Sequence, residues 1–335
     1  MEEISPQEQM NRMLTGYWTT QCVYVAAKLG IADLLAKGPH SADDLAKATS
    51  VHAPSLYRLL RALASMGVFT EDGEAKFSLT PLAEFLRSDV PGSQRALAIM
   101  CGEEHYVAWG ELLYSVQTGK TAFEKLYQMP IFDFLSKNLE QAKVFDAAMV
   151  GVHGRETAAM TDAYDFSGIG VLADIGGGNG SLLTTVLKKH PAMRGILYDL
   201  PGVTERAKAN LQAAGLADRC KVIGGSFFDS VPAGADAYLM RHIIHDWDDE
   251  QATTILRNVR QAIGNEGRLL VVEGVIAPGN DPCFGKLLDL TMLTIPGGKE
   301  RTEQEFRKLF AAGGFRLSRI VPTETEVSVI EGVSQ

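Results

Sequence analysis

The chain has 335 residues, of which 46% are hydrophobic and 22% are charged, a composition typical of a globular protein with an ample core. The length alone predicts two domains. The formal net charge of −9 argues against nucleic acid or an anionic membrane surface as the partner.

The sequence predicts no membrane span, leader peptide or metal site. No run approaches the roughly 18 apolar residues of a membrane helix, and the start, MEEISPQEQ, lacks the basic and apolar regions of a signal peptide. The cysteines are far apart and form no Cys-x-x-Cys motif, so we interpret them as reduced thiols: Cys22, Cys101, Cys220 and Cys283. We therefore expect a cytoplasmic protein without a metal.

The segment 13–37 carries more apolar and aromatic residues than one helical stripe needs to cover a core. A helix that is apolar around much of its circumference must be buried on several sides. Near a chain terminus, a subunit interface can supply the second side. We therefore expect a homodimer that forms through the N-terminal domain.

Residues 41–90 have the pattern of a winged helix. Ser41 with Asp44 forms a capping box before one helix, and a second helix is predicted over 57–66. Two short apolar segments flank the polar stretch 71–74, which indicates a hairpin.

The winged helix is also a DNA-binding shape, so a DNA-binding protein is the main rival interpretation. Residues 41–90 contain seven acidic and five basic residues, a net charge of −2. A DNA-binding surface needs several Lys or Arg residues on one face to neutralise phosphates. A scaffold and dimerisation role is therefore preferred.

The next segment, 94–165, is predicted to be helical and rich in aromatic residues. Such a stripe is more often core than ligand pocket, but part of it is expected to wall a cleft because it leads directly into the following domain. The predicted domains are 1–105 for dimerisation and 106–335 for ligand binding. The second comprises a helical linker, 106–165, and an α/β core, 166–335.

From Gly168 onward, apolar strand patterns alternate with helical patterns. Strands are predicted at 171–175, 195–199, 221–225, 236–241, 267–273, 315–321 and 326–331, and helices at 181–189, 202–214, 249–263 and 302–313. This alternation predicts an α/β fold, a doubly wound Rossmann-like sheet that is mostly parallel. The last two strands indicate an antiparallel hairpin at its edge.

A glycine cluster follows the first of these strands and opens onto a helix. It reads Asp174-Ile175-Gly176-Gly177-Gly178-Asn179-Gly180-Ser181. Glycine suits a turn that needs positive φ or close approach to a ligand, and such sheets bind ligands at the carboxyl ends of their strands. Ser181 stands where a dinucleotide fingerprint has its third glycine, and no Lys-Ser or Lys-Thr of a P-loop follows.

The second predicted strand ends at Asp199, about two dozen residues after the glycines. A carboxylate there can accept both hydroxyls of a ribose. The two features together indicate a nucleoside site without a pyrophosphate. They favour S-adenosylmethionine, with an NAD-type cofactor and a purely structural turn as the alternatives.

His245 is the candidate for proton chemistry. It lies in the loop between the fourth predicted strand and a helix that Asp248 caps, on the ligand side of the sheet. The fifth strand ends with Glu273, and Glu331 follows an apolar run near the C-terminus. A buried acid is costly unless it is paired. A carboxylate that accepts an imidazole N–H fixes the ring's tautomer and raises its basicity.

These motifs resemble those of the small-molecule O-methyltransferases, typified by caffeate, flavonoid, acetylserotonin and bacterial polyketide enzymes. The resemblance covers most of the chain. It rests on five stretches: 174–180, 198–201, 224–228, 241–247 and Pro296-Gly297-Gly298-Lys299-Glu300-Arg301-Thr302. It implies an S-adenosylmethionine-dependent O-methyltransferase, and an N-terminal dimerisation domain that closes the partner's pocket.

The resemblance also implies roles for single residues in the cofactor site. Gly176, Gly178 and their neighbours would line the methionine part of the cofactor after Asp174, and Asp199 would hold the ribose. The remaining contacts would come from Phe227 against the adenine, Ser226 beside it, and Arg241 near the cofactor.

The same resemblance assigns the reaction and the acceptor pocket. His245 would be the general base, with Glu273 and Glu331 beside it. The acceptor pocket would be walled by Met149, Trp109 and Met292.

Ser226 is a departure from the family, which usually has Asp at this position to accept from the adenine amino group. Asp229, three residues on, could substitute, or the serine hydroxyl could suffice. The sequence leaves both open.

The proton chemistry limits the acceptor. A phenol loses its proton near pH 10 and an unperturbed histidine accepts one near pH 6.5, a gap of about 3.5 units or about 5 kcal/mol. Neighbouring carboxylates would raise the pKa of the histidine and so reduce this difference for a phenol. For an alkyl alcohol, which is far less acidic than a phenol, the difference would remain large. The predicted acceptor is therefore an aromatic or enolic hydroxyl of a small molecule.

Two further interpretations stay open. A member of this family could use the same cofactor for decarboxylation or hydroxylation, although the retained His245, Glu273 and Glu331 argue against that. A DNA-binding regulator could use the cofactor as a signal, although the acidic 41–90 segment argues against it.

Overall fold

The computed structural model describes residues 4–335, and the chain divides into two compact units. One unit runs to Glu111 and includes Ile131–Gly154; the other comprises Leu112–Pro130 and Arg155–Gln335. The predicted domain boundary after residue 105 stays a prediction.

The first half of the chain is mainly helical. Its elements are α1 (Pro6–Leu14), α2 (Gly16–Lys28), α3 (Ile31–Leu35), β1 (His40–Ser41), α4 (Ala42–Thr49), α5 (Ala53–Ser65), β2 (Phe69–Glu71), β3 (Lys76–Leu79), α6 (Arg95–Gly102), α7 (Glu104–Gly110), α8 (Leu112–Thr118), α9 (Ala122–Tyr127), α10 (Ile131–Lys137) and α11 (Leu139–Ala163).

The second half alternates strand and helix. Its elements are β4 (Val171–Ile175), α12 (Ser181–Lys189), β5 (Arg194–Asp199), α13 (Pro201–Ala213), β6 (Cys220–Gly224), β7 (Ala237–Arg241), α14 (Asp249–Ala262), β8 (Arg268–Ile276), α15 (Phe284–Thr294), β9 (Arg301–Thr302), α16 (Glu303–Ala312), β10 (Phe315–Pro322) and β11 (Val327–Ser334). The sequence patterns do not predict α15.

The predicted winged helix is present in the first unit. The Ser41 hydroxyl accepts from the backbone N of Asp44, whose carboxylate accepts from the backbone N of Ser41, so the capping box starts α4. β2 and β3 form the expected hairpin within an antiparallel sheet of order β1-β3-β2. Leu60, Leu63 and Phe77 are fully buried beneath it.

Large apolar side chains at the start of the first unit are exposed in the single chain. They lie on α1 and α2: Met10, Met13, Leu14, Tyr17 and Trp18. Exposed apolar surface of this kind marks a site of association.

The second unit is built on one large sheet of order β10-β11-β8-β7-β4-β5-β6, with β9 paired to β8. The pairs among β4 to β8 are parallel, and β10 and β11 form an antiparallel hairpin at one edge. The predicted doubly wound fold with an antiparallel edge is therefore confirmed.

Two apolar clusters lie against this sheet. One contains Leu256 of α14 and Phe310 of α16, and the other contains Leu183 of α12 and Leu211 of α13. Because both faces are covered, the central strands are almost continuous apolar runs. In β4, for example, only Val171 is not fully buried.

The strand order reverses at β4, which lies between β5 and β7. At such a point the loops that follow the two adjacent strands run to opposite faces of the sheet. A crevice therefore opens at the carboxyl ends of these strands. The glycine cluster, Asp199 and the loop after β7 all follow strands that end at this edge. Within residues 4–335, no helix combines the length and apolar character needed to cross a bilayer.

Candidate active site

The turn between β4 and α12 depends on glycine. Gly176, Gly178 and Gly180 have φ values of +71°, +57° and +78°, in the left-handed region that side chains rarely adopt. A Cβ at Gly176 would also collide with the Ile243 side chain, whereas at Gly178 it would meet open space. The turn therefore leaves the backbone around Gly178 accessible to a ligand.

Asp199 joins the end of β5 to this turn. Its Oδ2 accepts a hydrogen bond from the backbone N of Gly178 at 2.8 Å, and its Oδ1 accepts from the backbone N of Leu200 at 2.7 Å. The structure thus brings together the two features that indicated a nucleoside site.

Asp174 is buried at the end of β4, with a relative exposure of 2%. Burial raises the pKa of its carboxyl group to about 7, an effect that Arg241 opposes and Asp199 reinforces. Within residues 4–335, its Oδ2 has no hydrogen-bond partner. A buried, unpaired carboxylate oxygen fits a ligand that donates a hydrogen bond.

Arg241 ends β7 beside this acid, and its Nη1 donates to the hydroxyl of Thr157 at 2.6 Å. Burial lowers the pKa of the guanidinium, while the charges of Asp174 and Glu156 raise it. Arg241 therefore partly neutralises a buried acidic site next to the glycine turn.

Phe227 lies near the glycine turn within an aromatic cluster. Its ring centroid is 5.0 Å from that of Phe228 and 6.1 Å from that of Trp247. The hydroxyl of Ser226 accepts from the backbone N of Phe228 at 3.2 Å, and Asp229 is exposed. The cluster offers an apolar surface for a flat ring, and the roles of Ser226 and Asp229 stay predictions.

His245 lies in a short 3₁₀ turn after β7 and is 7% exposed. Its Nδ1 is 2.6 Å from Oε1 of Glu300, and its Nε2 is 3.6 Å from Oδ1 of Asp246. Its backbone N donates to Oε1 of Glu273 at 3.0 Å. Three carboxylates thus surround one buried imidazole. Of these three, the sequence had predicted Glu273.

These carboxylates set the proton affinity of the ring. Burial lowers the pKa of His245, but Asp246, Glu300 and Glu273 outweigh burial and raise it to about 10. Burial raises the pKa of Asp246 to about 6 and also raises that of Glu273, while the charge of His245 lowers both. The carboxylates therefore favour the protonated form of the imidazole.

Two of these carboxylates, Asp246 and Glu300, were not predicted from the sequence, and Glu300 makes the shorter contact with the ring. It belongs to the Pro296–Thr302 motif, which carried the resemblance but received no role for its acid. The structure shows how closely this motif approaches the histidine, because a Cβ at Gly298 would collide with the carbonyl oxygen of His245. The backbone N of Lys299 also donates to that oxygen at 2.9 Å.

Glu331 does not contact His245, contrary to expectation. Its Oε2 accepts from the Tyr164 hydroxyl at 2.6 Å and from Nη2 of Arg319 at 2.9 Å. The reason is strand direction: β11 is antiparallel to β8, and Glu331 pairs with Leu270 in the first half of β8. Glu331 therefore lies away from the carboxyl ends of the parallel strands, where His245 is found.

The predicted acceptor residues are divided between the two units. Trp109 on α7 and Met149 on α11 belong to the first unit, and both are half-buried. Met292 on α15 belongs to the second unit and is buried. Their role in acceptor binding stays a prediction.

Comparison with known proteins decides the family. A model of the O-methyltransferase domain matches residues 109–316, and a model of the O-methyltransferase dimerisation domain matches residues 11–89. The chain belongs to the S-adenosylmethionine-dependent O-methyltransferase family. Residues 41–90, for which DNA binding was the rival interpretation, lie almost entirely within the match to the dimerisation domain.

Several bacterial members of this O-methyltransferase family are similar over nearly their whole length. Phenazine O-methyltransferase PhzM of Lysobacter antibioticus is 49% identical over 320 residues, covering 96% of this chain and 94% of the relative. The 8-amino-8-demethylriboflavin N,N-dimethyltransferase of Streptomyces davaonensis is 39% identical, covering 92% and 90%. Some relatives therefore methylate nitrogen.

One solved structure contains both ligands of such a reaction. NcsB1, an O-methyltransferase from neocarzinostatin biosynthesis, was crystallised with S-adenosylmethionine and 2-hydroxy-5-methyl naphthoic acid. It is 35% identical to this O-methyltransferase, with a TM-score of 0.85 and coverage of 95% of this chain and 96% of NcsB1.

The buried Asp174 predicts a pH-dependent stability. With a pKa raised to about 7 in the folded state, Asp174 contributes stability that is full below about pH 4 and is lost as the pH rises through about 7. In the ligand-free protein, Asp174→Asn should therefore lose less thermal stability than the wild type between about pH 5 and 8. Melting curves at several pH values measure this.

The exposed acid Asp218 provides the control for that experiment. Asp218→Asn should follow the wild-type pH dependence. Parallel curves for Asp174→Asn and the wild type would contradict the assignment.

Proposed function

We propose that this O-methyltransferase methylates an aromatic or enolic hydroxyl of a small molecule, with His245 as the general base. The observation that carries the proposal is the buried imidazole whose Nδ1 lies 2.6 Å from Glu300 while Asp246 and Glu273 lie beside it. An acceptor that must lose a proton explains why a buried histidine would be surrounded in this way.

The edge of β4 and β5 supports S-adenosylmethionine as the cofactor. The unpaired Oδ2 of Asp174, the open backbone at Gly178 and the carboxylate of Asp199 fit a ligand with amino and hydroxyl donors. Phe227 would cover the adenine, and Gly176 and Arg241 would complete the site. When bound, the cofactor supplies a methyl group that is already activated on a sulfonium.

His245 would take the acceptor's proton at Nε2. Glu300 would accept the hydrogen bond of the Nδ1–H group, which keeps Nε2 available as the base. Because the carboxylates raise the pKa of His245 to about 10, the proton would pass between groups of similar affinity when the acceptor is a phenol. An alkyl alcohol remains far less acidic than this base can deprotonate readily.

The base must be neutral before it can act. Since its pKa is raised to about 10, only a small fraction of His245 is neutral at pH 7 in the ligand-free protein. The rate should therefore rise with pH over the neutral range.

Nitrogen is the second candidate acceptor, because some relatives are N-methyltransferases by name. An aromatic amine attacks through its lone pair and need not lose a proton first. The carboxylate-paired His245 therefore favours a hydroxyl, and the relative named for phenazine and the naphthoic acid bound to NcsB1 support an aromatic acceptor.

A homodimer through the N-terminal unit is also part of the proposal. The dimerisation-domain match and the exposed Met13, Leu14, Tyr17 and Trp18 support it. The four free cysteines support a reducing, cytoplasmic location.

Replacing the base should slow the reaction strongly without weakening cofactor binding. His245→Ala should lower kcat for a phenolic acceptor by at least about a hundredfold, because base catalysis is lost. Transfer of a labelled methyl group to a panel of phenols gives the rate, and calorimetry gives the Kd of S-adenosylhomocysteine.

His40→Ala, in the first unit, is the matched control and should keep the wild-type rate. A wild-type rate for His245→Ala would remove this residue from the role of base.

Glu300→Gln should shift the pH dependence. The neutral amide no longer stabilises the imidazolium, so the pKa of His245 falls and the rise of kcat/KM with pH is complete at a lower pH. The pH profile of labelled-methyl transfer measures the shift.

Glu303→Gln, an exposed acid on α16 that pairs with Arg307, is the control and should leave the profile unchanged. An unshifted profile for Glu300→Gln would mean that Glu300 does not act on His245.

Trp18→Asp should dissociate the dimer, because it places a charge in an apolar interface. Gel filtration with light scattering should give the mass of one chain for this variant and of two chains for the wild type. Asn265→Asp adds the same charge to an exposed loop and should remain dimeric. A dimeric Trp18→Asp protein would place the interface elsewhere.

A further inference from the structure

Arg301 is a fully buried cation that the proposed reaction does not use. Its relative exposure is 0%, and it is among the largest fully buried side chains in the described chain. Burying a guanidinium is costly unless its donors are all well placed and a counter-charge is near. Its contacts should therefore reveal what the residue does.

The donors of Arg301 hold the turn that carries His245, residues 244–249. Nη1 donates to the carbonyl oxygen of Ile244 at 3.1 Å, and Nη2 donates to that of Trp247 at 3.0 Å. These carbonyls lie on either side of His245 in the chain. The guanidinium thus fixes the backbone one residue before and two residues after the base.

The same side chain ties this turn to the start of α14. Nε and Nη2 of Arg301 both donate to Oδ1 of Asp249, at 3.1 and 2.9 Å. Nζ of Lys299 also donates a hydrogen bond to Oδ2 of Asp249 at 2.8 Å. The planar fork of arginine can make all these bonds at once, which a lysine cannot.

Arg301 is itself fixed to the sheet. It lies in β9 and pairs with Val275 of β8. The neighbouring Glu300 contacts the imidazole, and Gly298 lies against the His245 carbonyl. One short segment therefore orients the base through its ring and through its backbone.

The positive charge of Arg301 gives this residue a second role, an electrostatic effect on the acids around His245. The titratable and charged groups around His245 come from its own turn, from the residue after β7, from β8, from the residue before β9 and from β9 itself: Asp246, His242, Glu273, Glu300 and Arg301. The charge of Arg301 lowers the pKa of Glu273, against the larger effect of burial. Arg301 therefore helps to keep Glu273 ionised beside the base.

We propose that Arg301 is a positioning residue for methyl transfer, which holds the 244–249 turn so that His245 meets Glu300 and the acceptor in the correct orientation. This inference rests on the proposed role of His245. It differs from a general structural role because it concerns only the step in which the acceptor loses its proton.

The test compares two acceptors whose need for a base differs. One is a phenol that is protonated at the assay pH, and the other is its nitro-substituted analogue, which is already ionised. The variants are Arg301→Lys, which keeps the charge but loses the fork, and Asp249→Ala, which removes two of the bonds to Arg301. Arg307→Lys, an exposed arginine on α16, is the matched control.

For Arg301→Lys, kcat for the protonated phenol should fall about ten- to a hundredfold, as is common when a partner of a site residue is lost. For the ionised analogue kcat should fall less than about threefold, and the Kd of S-adenosylhomocysteine should stay within about threefold. Asp249→Ala should show the same selectivity with a smaller loss, and this variant decides the question if Arg301→Lys does not fold.

Equal losses for both acceptors, a loss of cofactor affinity in parallel with kcat, or no loss at all would overturn the inference. His245→Ala is measured in the same series. If it shows the selective loss and the Arg301 and Asp249 variants do not, the proposed base stands and the positioning role fails. If His245→Ala shows no loss, the proposed function itself fails.

Discussion

The pairing of one buried imidazole with buried carboxylates is the interaction on which the site depends. His245, Glu300 and Glu273 are each costly to bury alone, and each is acceptable because the others are present. The three acids outweigh the effect of burial and raise the pKa of the ring. Once neutral, His245, the proposed base, would bind a proton about as tightly as a phenolate does, which favours a phenolic acceptor.

The fold assembles this cluster from distant parts of the sequence. His245 follows β7 and Glu273 lies in β8. Because the two strands are parallel, both residues lie near the carboxyl ends of the strands, at the same edge of the sheet. Glu300 lies between α15 and β9, and β9 pairs with the end of β8. The crevice beside β4 holds the glycine turn and Asp199, so the proposed cofactor residues and the proposed base lie at one edge of one sheet.

Local chemistry made part of this structure predictable. The apolar run and the glycines predict β4 and α12 with the bounds that the structure has, and the turn to Asp199 is confirmed as a contact. The partner of His245 was not predictable in the same way. Glu331 ends an apolar run as Glu273 does, but only the antiparallel register of β11 shows that it lies at Leu270, beside Tyr164 and Arg319. Glu300 required knowledge of a long-range pairing that no local pattern encodes.

The most direct test of the central claim is an NMR titration of the His245 imidazole in the ligand-free protein, with labelled histidine and His245→Ala to assign the signal. We expect this ring to remain protonated well above pH 7 and to titrate near pH 10, far from the ordinary value of about 6.5. Titration at or below pH 6.5 would contradict this expectation, because the carboxylates would then not be holding the proton on the ring.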